Sequence, residues 1–199
     1  APGALNAIHL ACEFVTAVRA KQQEIETAWR DVNTSSSDDV SEVPYTTVHV
    51  GRIVADQALN IVPRVCNVNF EIRHTADDSP SAIVDALTHD AKAIVAPYKY
   101  RFPEASIELE IWNAYPALNT PTSAEVVSFV KSLVGANTTG YVAFGTEAGL
   151  FSEKLGIPTV VCGPGSMEQG HKPDEYIDIE QLNRCDDMHA RLIDWLEQH

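Results

Sequence analysis

One stretch of the sequence, residues 162–177, holds more residues suited to chemistry than any other part of the chain. It reads C-G-P-G-S-M-E-Q-G-H-K-P-D-E-Y-I. Two glycines around a proline allow a sharp turn whose bare N–H groups suit an anionic oxygen, so Gly163 and Gly165 are candidate substrate-binding positions. His171 follows on a segment that Pro173 keeps from becoming helical. On residue type alone, this histidine is either a metal ligand or a solvated loop residue.

A second candidate group precedes a short helical pattern that runs over residues 147–155. The start of a helix offers N–H donors to an anion, so Gly145 and Thr146 are candidate partners of a substrate carboxylate. Thr146 can equally serve only as a helix cap. Glu147 is either favoured there by the helix dipole alone or selects a cationic substrate side chain.

Two further candidates lie earlier in the chain. Asn60 lies in the string A-L-N-I-V-P at 58–63. Its side chain either forms hydrogen bonds within a turn or contacts a ligand. Arg73 ends an alternating segment at 65–73. Its planar guanidinium is either solvated at the strand end or a clamp for a carboxylate.

The elements that must position these residues follow from hydrophobic periodicity. The first part of the chain reads as helix 4–30, strand 45–55 passing Gly51, strand 65–73, a helix from Ser79-Pro80 to about 96, and strand 107–112. With one more strand before residue 1, this order gives a four-stranded antiparallel sheet backed by two helices. That is an α+β ferredoxin-like module.

The pattern changes to α/β from residue 113 onward. Helix 124–134, with Thr122 or Ser123 as its cap, is followed by strand 141–144, helix 147–155, strand 157–162 and a final helix at about 180–197. We therefore predict two domains, 1–114 and 115–199.

Composition excludes several classes of function. The 14 lysine and arginine residues stand against 28 aspartate and glutamate residues, and the net charge of −14 repels nucleic acid. No apolar run approaches the roughly 18 residues that a membrane helix needs. The four cysteines are widely spaced, which favours reduced thiols. We expect a soluble cytoplasmic protein.

The strings A-L-N-I-V-P, F-E-I-R (70–73), G-T-E-A (145–148) and G-P-G-S-M-E-Q-G-H-K-P-D-E-Y-I resemble the M20-type dinuclear zinc family of aminoacylases and carboxypeptidases, and within it the acetylornithine deacetylases. The resemblance implies that 1–114 is a lid and dimerisation domain and that 115–199 is the C-terminal part of a zinc-peptidase-like catalytic domain. It also implies a homodimer formed through residues 1–114.

The resemblance further implies an amide hydrolase that removes the acetyl group from N2-acetylornithine in arginine biosynthesis. Two zinc ions, with cobalt as the alternative, would be the cofactors, and His171 would be a ligand of one of them. Asn60, Arg73, Gly145 and Thr146 would contact a small acylated amino acid.

The family's other metal ligands and its general base lie in His-x-Asp and Glu-Glu motifs upstream of the lid, and this sequence has neither. We therefore expect no catalytic residue in this chain, a protein that starts further upstream, and no turnover by the chain alone. Succinyl-diaminopimelate or a peptide is the alternative substrate. The alternative from another class is a non-catalytic dimerisation or binding module.

Overall fold

The computed structural model describes residues 3–33, 45–55, 58–75, 77–140, 145–166, 168–170 and 172–199. These residues form two compact units. Unit 1 contains the described residues up to Ala117 together with Gly145, and unit 2 contains those from Leu118 to residue 140 and from Thr146 to His199.

Unit 1 is built from two long helices and a two-stranded sheet. The elements are α1 (Ala7–Val32), β1 (Thr47–Val54), β2 (Asn67–Arg73) and α2 (Pro80–Val95), the last followed by a short 3-10 turn (Ala96–Tyr98). Side-chain caps begin both helices, because the first N–H groups of a helix lack partners within it. Asn6 Oδ1 accepts from Ile8 N–H at 2.9 Å. Ser79 Oγ accepts from Ala82 N–H at 3.4 Å, with Pro80 in the first turn of the helix.

The sheet of unit 1 is antiparallel, with Thr47 opposite Arg73 and Val54 opposite Asn67. Its register shifts between Val50 and Arg52, so Gly51 takes the position of the irregularity. The predicted strand passing this glycine is confirmed. The other edge of β1 has no neighbouring strand among the described residues.

The core of unit 1 lies between the two helices and one face of the sheet. Leu87 of α2 is fully buried, with Val18 of α1 1% exposed and Val48 of β1 6% exposed. Phe70 and Ile72 of β2 pack against this cluster, so the alternating segment at 65–73 turns these side chains inward. The ring of Phe14 contacts that of Phe70 edge-on, with centroids 5.9 Å apart.

The strand predicted at 107–112 is not formed. Residues 105–110 alternate between half-buried and exposed, and the side chains of Ile107 and Leu109 pack against the core. However, residues 106–112 make no backbone hydrogen bond to another described residue. The side-chain pattern of a strand is therefore present without the hydrogen-bonded ladder, and the sheet has two strands among the described residues where four were expected.

Unit 2 contains α3 (Glu125–Val134), α4 (Ala148–Leu155) and α5 (Ile179–Gln198). The three helices are those predicted, and both α3 and α4 end at a glycine in the left-handed conformation, Gly135 and Gly156. The cap predicted at Thr122 or Ser123 is wrong, since α3 begins after Ala124 without a side-chain cap. Residues 157–162 do not form the predicted strand, and strand 141–144 lies outside the described residues.

A hydrogen bond and a ring contact are among the interactions that join α5 to α3. Arg191 Nη1 donates to Leu133 O at 2.6 Å. The rings of Phe129 and Trp195 meet edge-on, with centroids 4.9 Å apart. Much of the remaining apolar surface of unit 2 is exposed, including Phe151, Leu182 and Ile193.

Candidate functional site

Arg73 lies at the end of β2, where its guanidinium is accessible. Its Nε donates to Glu71 Oε1 at 2.9 Å, and about half of each side chain is exposed. The two residues are two apart on one strand, so their side chains project from the same face. This exposed ion pair contributes little to stability. A guanidinium carries five N–H donors in a planar fork, and this geometry suits a carboxylate.

The residue after Arg73 was not singled out from the sequence. His74 Nδ1 is 2.9 Å from Thr75 O, and His74 Nε2 is 3.2 Å from Tyr115 O. This imidazole therefore holds the end of β2 beside the chain at residue 115. Hydrophobic periodicity could not reveal it, because the signal is a pair of carbonyl contacts that exists only in the folded chain.

A small polar network anchors the neighbouring end of the sheet. Thr46, which is fully buried, donates its hydroxyl to Asp78 and accepts from Thr75 N–H at 3.1 Å. Thr75 Oγ1 donates to the same Asp78 oxygen at 3.1 Å. The network ties the segment before β1 to the loop before α2, so it fixes the position of the strand end that carries Arg73.

Asn60 lies on the surface of unit 1. It occupies a turn in which Ile61 N–H donates to Ala58 O at 2.9 Å, and the residue is exposed. Its side chain makes no hydrogen bond within the described part of the chain. The amide is thus presented to solvent, and its role in substrate binding stays a prediction.

The Gly145–Glu147 segment leads into α4. Thr146 Oγ1 accepts from Ala148 N–H at 2.9 Å, so the hydroxyl does cap the helix start. As an acceptor it keeps its own proton, which remains able to donate to an anion. Glu147 is exposed at the N-cap position, directly before α4, and Gly145 is close to the ring of Tyr115, whose Cδ2 lies 4.0 Å from where a Cβ would stand.

The Gly163–Pro164–Gly165 turn has one position that requires glycine. Gly165 has a φ of +105°, whereas Gly163 does not have a positive φ. A Cβ on Gly165 would lie 3.8 Å from Ile177 Cδ1, an ordinary contact, so the backbone conformation is the restriction. Further along the segment, Asp174 adopts a left-handed φ of 59° and Lys172 Nζ donates to Glu168 O at 2.5 Å.

Within unit 2, no hydrogen bond between described residues joins the start of α4 to the Gly163–Gly165 turn. Gly145, Thr146 and Glu147 are consecutive residues that lead into α4, whereas Gly163 and Gly165 flank Pro164 in the turn. Asn60, Arg73 and Gly145 belong to unit 1.

His171, the predicted metal ligand, lies outside the described residues, and its role stays a prediction. Among the residues that are described, no three histidine, cysteine, aspartate or glutamate side chains form a group that could hold a metal ion. The described donors therefore do not fit the two-metal centre that the resemblance implies. In the same part of the chain, no helix is long and apolar enough to span a bilayer.

Residues 1–99 match the family model of the M20 peptidase dimerisation domain. The chain is also similar to proteins named acetylornithine deacetylase. It is 32% identical to the one from Myxococcus xanthus over 156 residues, which are 78% of this chain and 40% of that protein. This chain belongs to the M20 family.

Two other M20 relatives match over nearly all of the chain. The acetylornithine deacetylase of Proteus mirabilis is 30% identical over 196 residues, covering 96% of this chain and 46% of that protein. The one from Erwinia tasmaniensis is 29% identical over 189 residues, covering 95% and 46%. The chain thus spans less than half the length of these relatives. The two helices and antiparallel sheet of unit 1 are compatible with an M20 dimerisation domain.

Proposed function

We propose that the chain is part of a longer M20 amide hydrolase that removes the acetyl group from N2-acetylornithine in arginine biosynthesis, in the cytoplasm. The observation that carries the proposal is similarity to acetylornithine deacetylases on both sides of residue 99, where the dimerisation-domain match ends. Succinyl-diaminopimelate or a peptide remains the alternative substrate.

The domain division of the proposal is 1–114 for the lid and dimerisation domain and 115–199 for the C-terminal part of the catalytic domain. The position of the dimerisation-domain match, at 1–99, supports the first assignment. The exposed apolar side chains of unit 2, among them Phe151, Leu182 and Ile193, support the second, because such a surface is typical of a segment that packs against further protein.

In this proposal the substrate is held by groups at the ends of elements. Arg73 binds its carboxylate, supported by an accessible guanidinium beside Glu71. The Thr146 hydroxyl donates to an anionic oxygen while it caps α4. Glu147, exposed at the same helix start, selects a cationic side chain. Asn60, Gly145, Gly163 and Gly165 complete the proposed substrate-binding set.

The proposed cofactor is a pair of zinc ions, with cobalt as the alternative, and His171 is the one ligand that we assign to this chain. We assign the other ligands and the general base to other parts of the longer protein, because this sequence contains neither a His-x-Asp nor a Glu-Glu motif. The chain alone should therefore neither bind two zinc ions nor hydrolyse the substrate.

The second role that we propose is homodimer formation through unit 1. A groove of about 470 Å³ runs between α1 and the open edge of β1. Val15, Val50 and Ile53 form part of its lining, and Ile53 is 49% exposed. Gln22 Oε1 accepts from Val48 N–H at 2.5 Å at the base of this groove. An open strand edge beside apolar side chains suits pairing with a second copy of itself.

Light scattering coupled to gel filtration tests the dimer. The chain should elute as a dimer, and Ile53→Glu should shift it to monomer, because the charge enters an apolar contact. Leu59→Glu is the matched control, since Leu59 is fully exposed and lies outside the groove. Equal behaviour of the two variants would contradict the proposed surface.

The hydrolase is tested by metal analysis and by deacetylation assays on the chain and on the longer protein. The longer protein should hydrolyse N2-acetylornithine, and His171→Ala should remove one metal ion and most of the activity. Glu147→Ala should reduce the preference for cationic over neutral acylated amino acids. Retention of both metal ions, or deacetylation by the chain alone, would contradict these assignments.

The alternative class, a module that dimerises or binds without catalysis, is favoured by the open edge of β1. It predicts the same dimer but no deacetylation by any longer form of the protein. The activity of the longer protein therefore distinguishes the two.

A further inference from the structure

The four cysteines, widely spaced in sequence, are arranged as one pair in each unit. Cys12 and Cys66 belong to unit 1, and Cys162 and Cys185 belong to unit 2. Burial raises the pKa of the Cys66 thiol and the charge of Cys12 raises it further. Burial likewise raises the pKa of Cys162, and the charge of Cys185 adds to this. Each pair is close enough for its two sulfurs to interact electrostatically.

The geometry of the second pair is defined by contacts on α5. Cys162 Sγ lies 3.8 Å from Met188 Sδ. Cys185 precedes Met188 by three residues on this helix, so their side chains are neighbours on one face. Cys185 Sγ is in turn 4.0 Å from Nδ1 of His189, one turn further along the helix. The Cys162 sulfur therefore rests on the same patch of α5 that carries the Cys185 sulfur.

Both cysteines are on anchored and accessible parts of unit 2. Arg191 and Trp195 hold α5 against α3. The segment that leads to Cys162 is held by Thr120 Oγ1, which donates to Thr159 O at 2.5 Å. Cys162 is exposed and Cys185 is half-buried, so a small reagent can reach either sulfur. Among the described residues, the side chains around these two sulfurs form no group that could hold a metal ion, so we consider the chemistry of the thiols themselves.

We propose that Cys162 and Cys185 are a dithiol that closes into an intramolecular disulfide on exposure to a low-molecular-weight disulfide, and that thiol reductants reopen it. In the first step the Cys162 thiolate attacks one sulfur of the oxidant, whose S–S bond breaks to release one small thiolate. In the second step the Cys185 thiolate attacks the Cys162 sulfur and releases the second small thiolate, which the first step had joined to Cys162. The two thiol protons of the protein end on the two small thiolates, so the protein loses two electrons and the oxidant gains them.

The consequence is local. Cys162 directly precedes Gly163, so the disulfide would tie the Gly163–Gly165 turn to α5. Reaction requires thiolates, and the raised pKa of Cys162 keeps the thiolate fraction low at neutral pH. The rate of the first step should therefore rise about tenfold per pH unit below that pKa.

The test uses the reduced chain, oxidised glutathione as the reagent, an acid quench and peptide mapping by mass spectrometry. The folded chain should give a Cys162–Cys185 cross-link within one chain, whereas the same chain in denaturant should give a mixture of pairings. Cys185→Ser should stop the reaction at a glutathione adduct on Cys162, and Cys162→Ser should prevent the cross-link.

Cys12→Ser is the matched control, because it removes a thiol of the other pair and should leave the Cys162–Cys185 product and its rate unchanged. Three results would overturn the proposal. They are a wild-type chain that stops at the glutathione adduct, cross-links that form only between chains, and a folded chain that gives the same mixture as the denatured one. None of these readouts depends on hydrolase activity.

Discussion

Replacing Gly165 by alanine tests whether the turn in the candidate site depends on backbone conformation. The φ of +105° at this position is one that residues with a Cβ rarely adopt. Forcing alanine into it costs about 1–3 kcal/mol. The new Cβ would meet Ile177 Cδ1 at 3.8 Å, an ordinary contact, so steric overlap adds little to this cost.

Gly163→Ala is the matched control on the other side of Pro164. Gly163 does not have a positive φ, and a Cβ there would meet nothing within 4 Å. A residue before proline favours extended backbone, which alanine adopts readily. The free energy of unfolding should change by less than about 0.5 kcal/mol in this variant.

Urea unfolding of both variants measures the difference, and hydrogen exchange of amides in 163–177 measures it locally. The second assay is needed because a strained turn can open by itself without unfolding the unit. Gly165→Ala should then show faster local exchange even if the global midpoint moves little. Equal effects of the two substitutions in both assays would refute the backbone argument.

Three further predictions concern unit 1. Leu87→Ala should lower the free energy of unfolding by about 2–5 kcal/mol, because Leu87 is 0% exposed. In the same urea titration, Leu59→Ala should change it by less than about 0.5 kcal/mol, because Leu59 is fully exposed. Asp78→Ala should cost about 1–3 kcal/mol by leaving the buried Thr46 hydroxyl without its acceptor, and Asp78→Asn, which keeps an acceptor oxygen, should cost less. Alkylation of Cys66 should require a higher pH in the folded chain than in the denatured chain, because folding raises the pKa of this thiol. The folding stability that accompanies this pKa shift is present below the pKa of the denatured thiol. It should be lost as the pH rises through the raised pKa of the folded thiol. Identical pH profiles in the two states would contradict that pKa shift.

The helices could be predicted from the sequence because their signals are local. The apolar stripe, the caps at Asn6 and Ser79 and the terminal glycines at 135 and 156 all lie within or next to the segment that they define. The strand predicted at 107–112 was wrong for the opposite reason. Alternation fixes which side chains face the core, but a strand also needs hydrogen bonds from another segment, and one segment's pattern carries no information about its partner.

The site was predictable only in part. The G-P-G string indicated a sharp turn, and the positive φ of Gly165 is the local feature that such a string favours. The cap made by Thr146 was one of two interpretations left open, and the structure shows it without excluding the other. His74 was missed because its contact with Tyr115 joins residues far apart in sequence. The role of His171 rests on resemblance, since it lies outside the described residues.

The segment at 105–112 combines anchored side chains with a main chain open to water. Ile107 and Leu109 hold it against the interior, while the amides of 106–112 bond to no carbonyl of the residues that the structure describes. Such amides should lose their protons to solvent as fast as those of an unfolded peptide, even where the methyl groups beside them give sharp, well-dispersed resonances. The side chains of this segment would then be ordered, while its backbone amides a few ångströms away exchange with solvent.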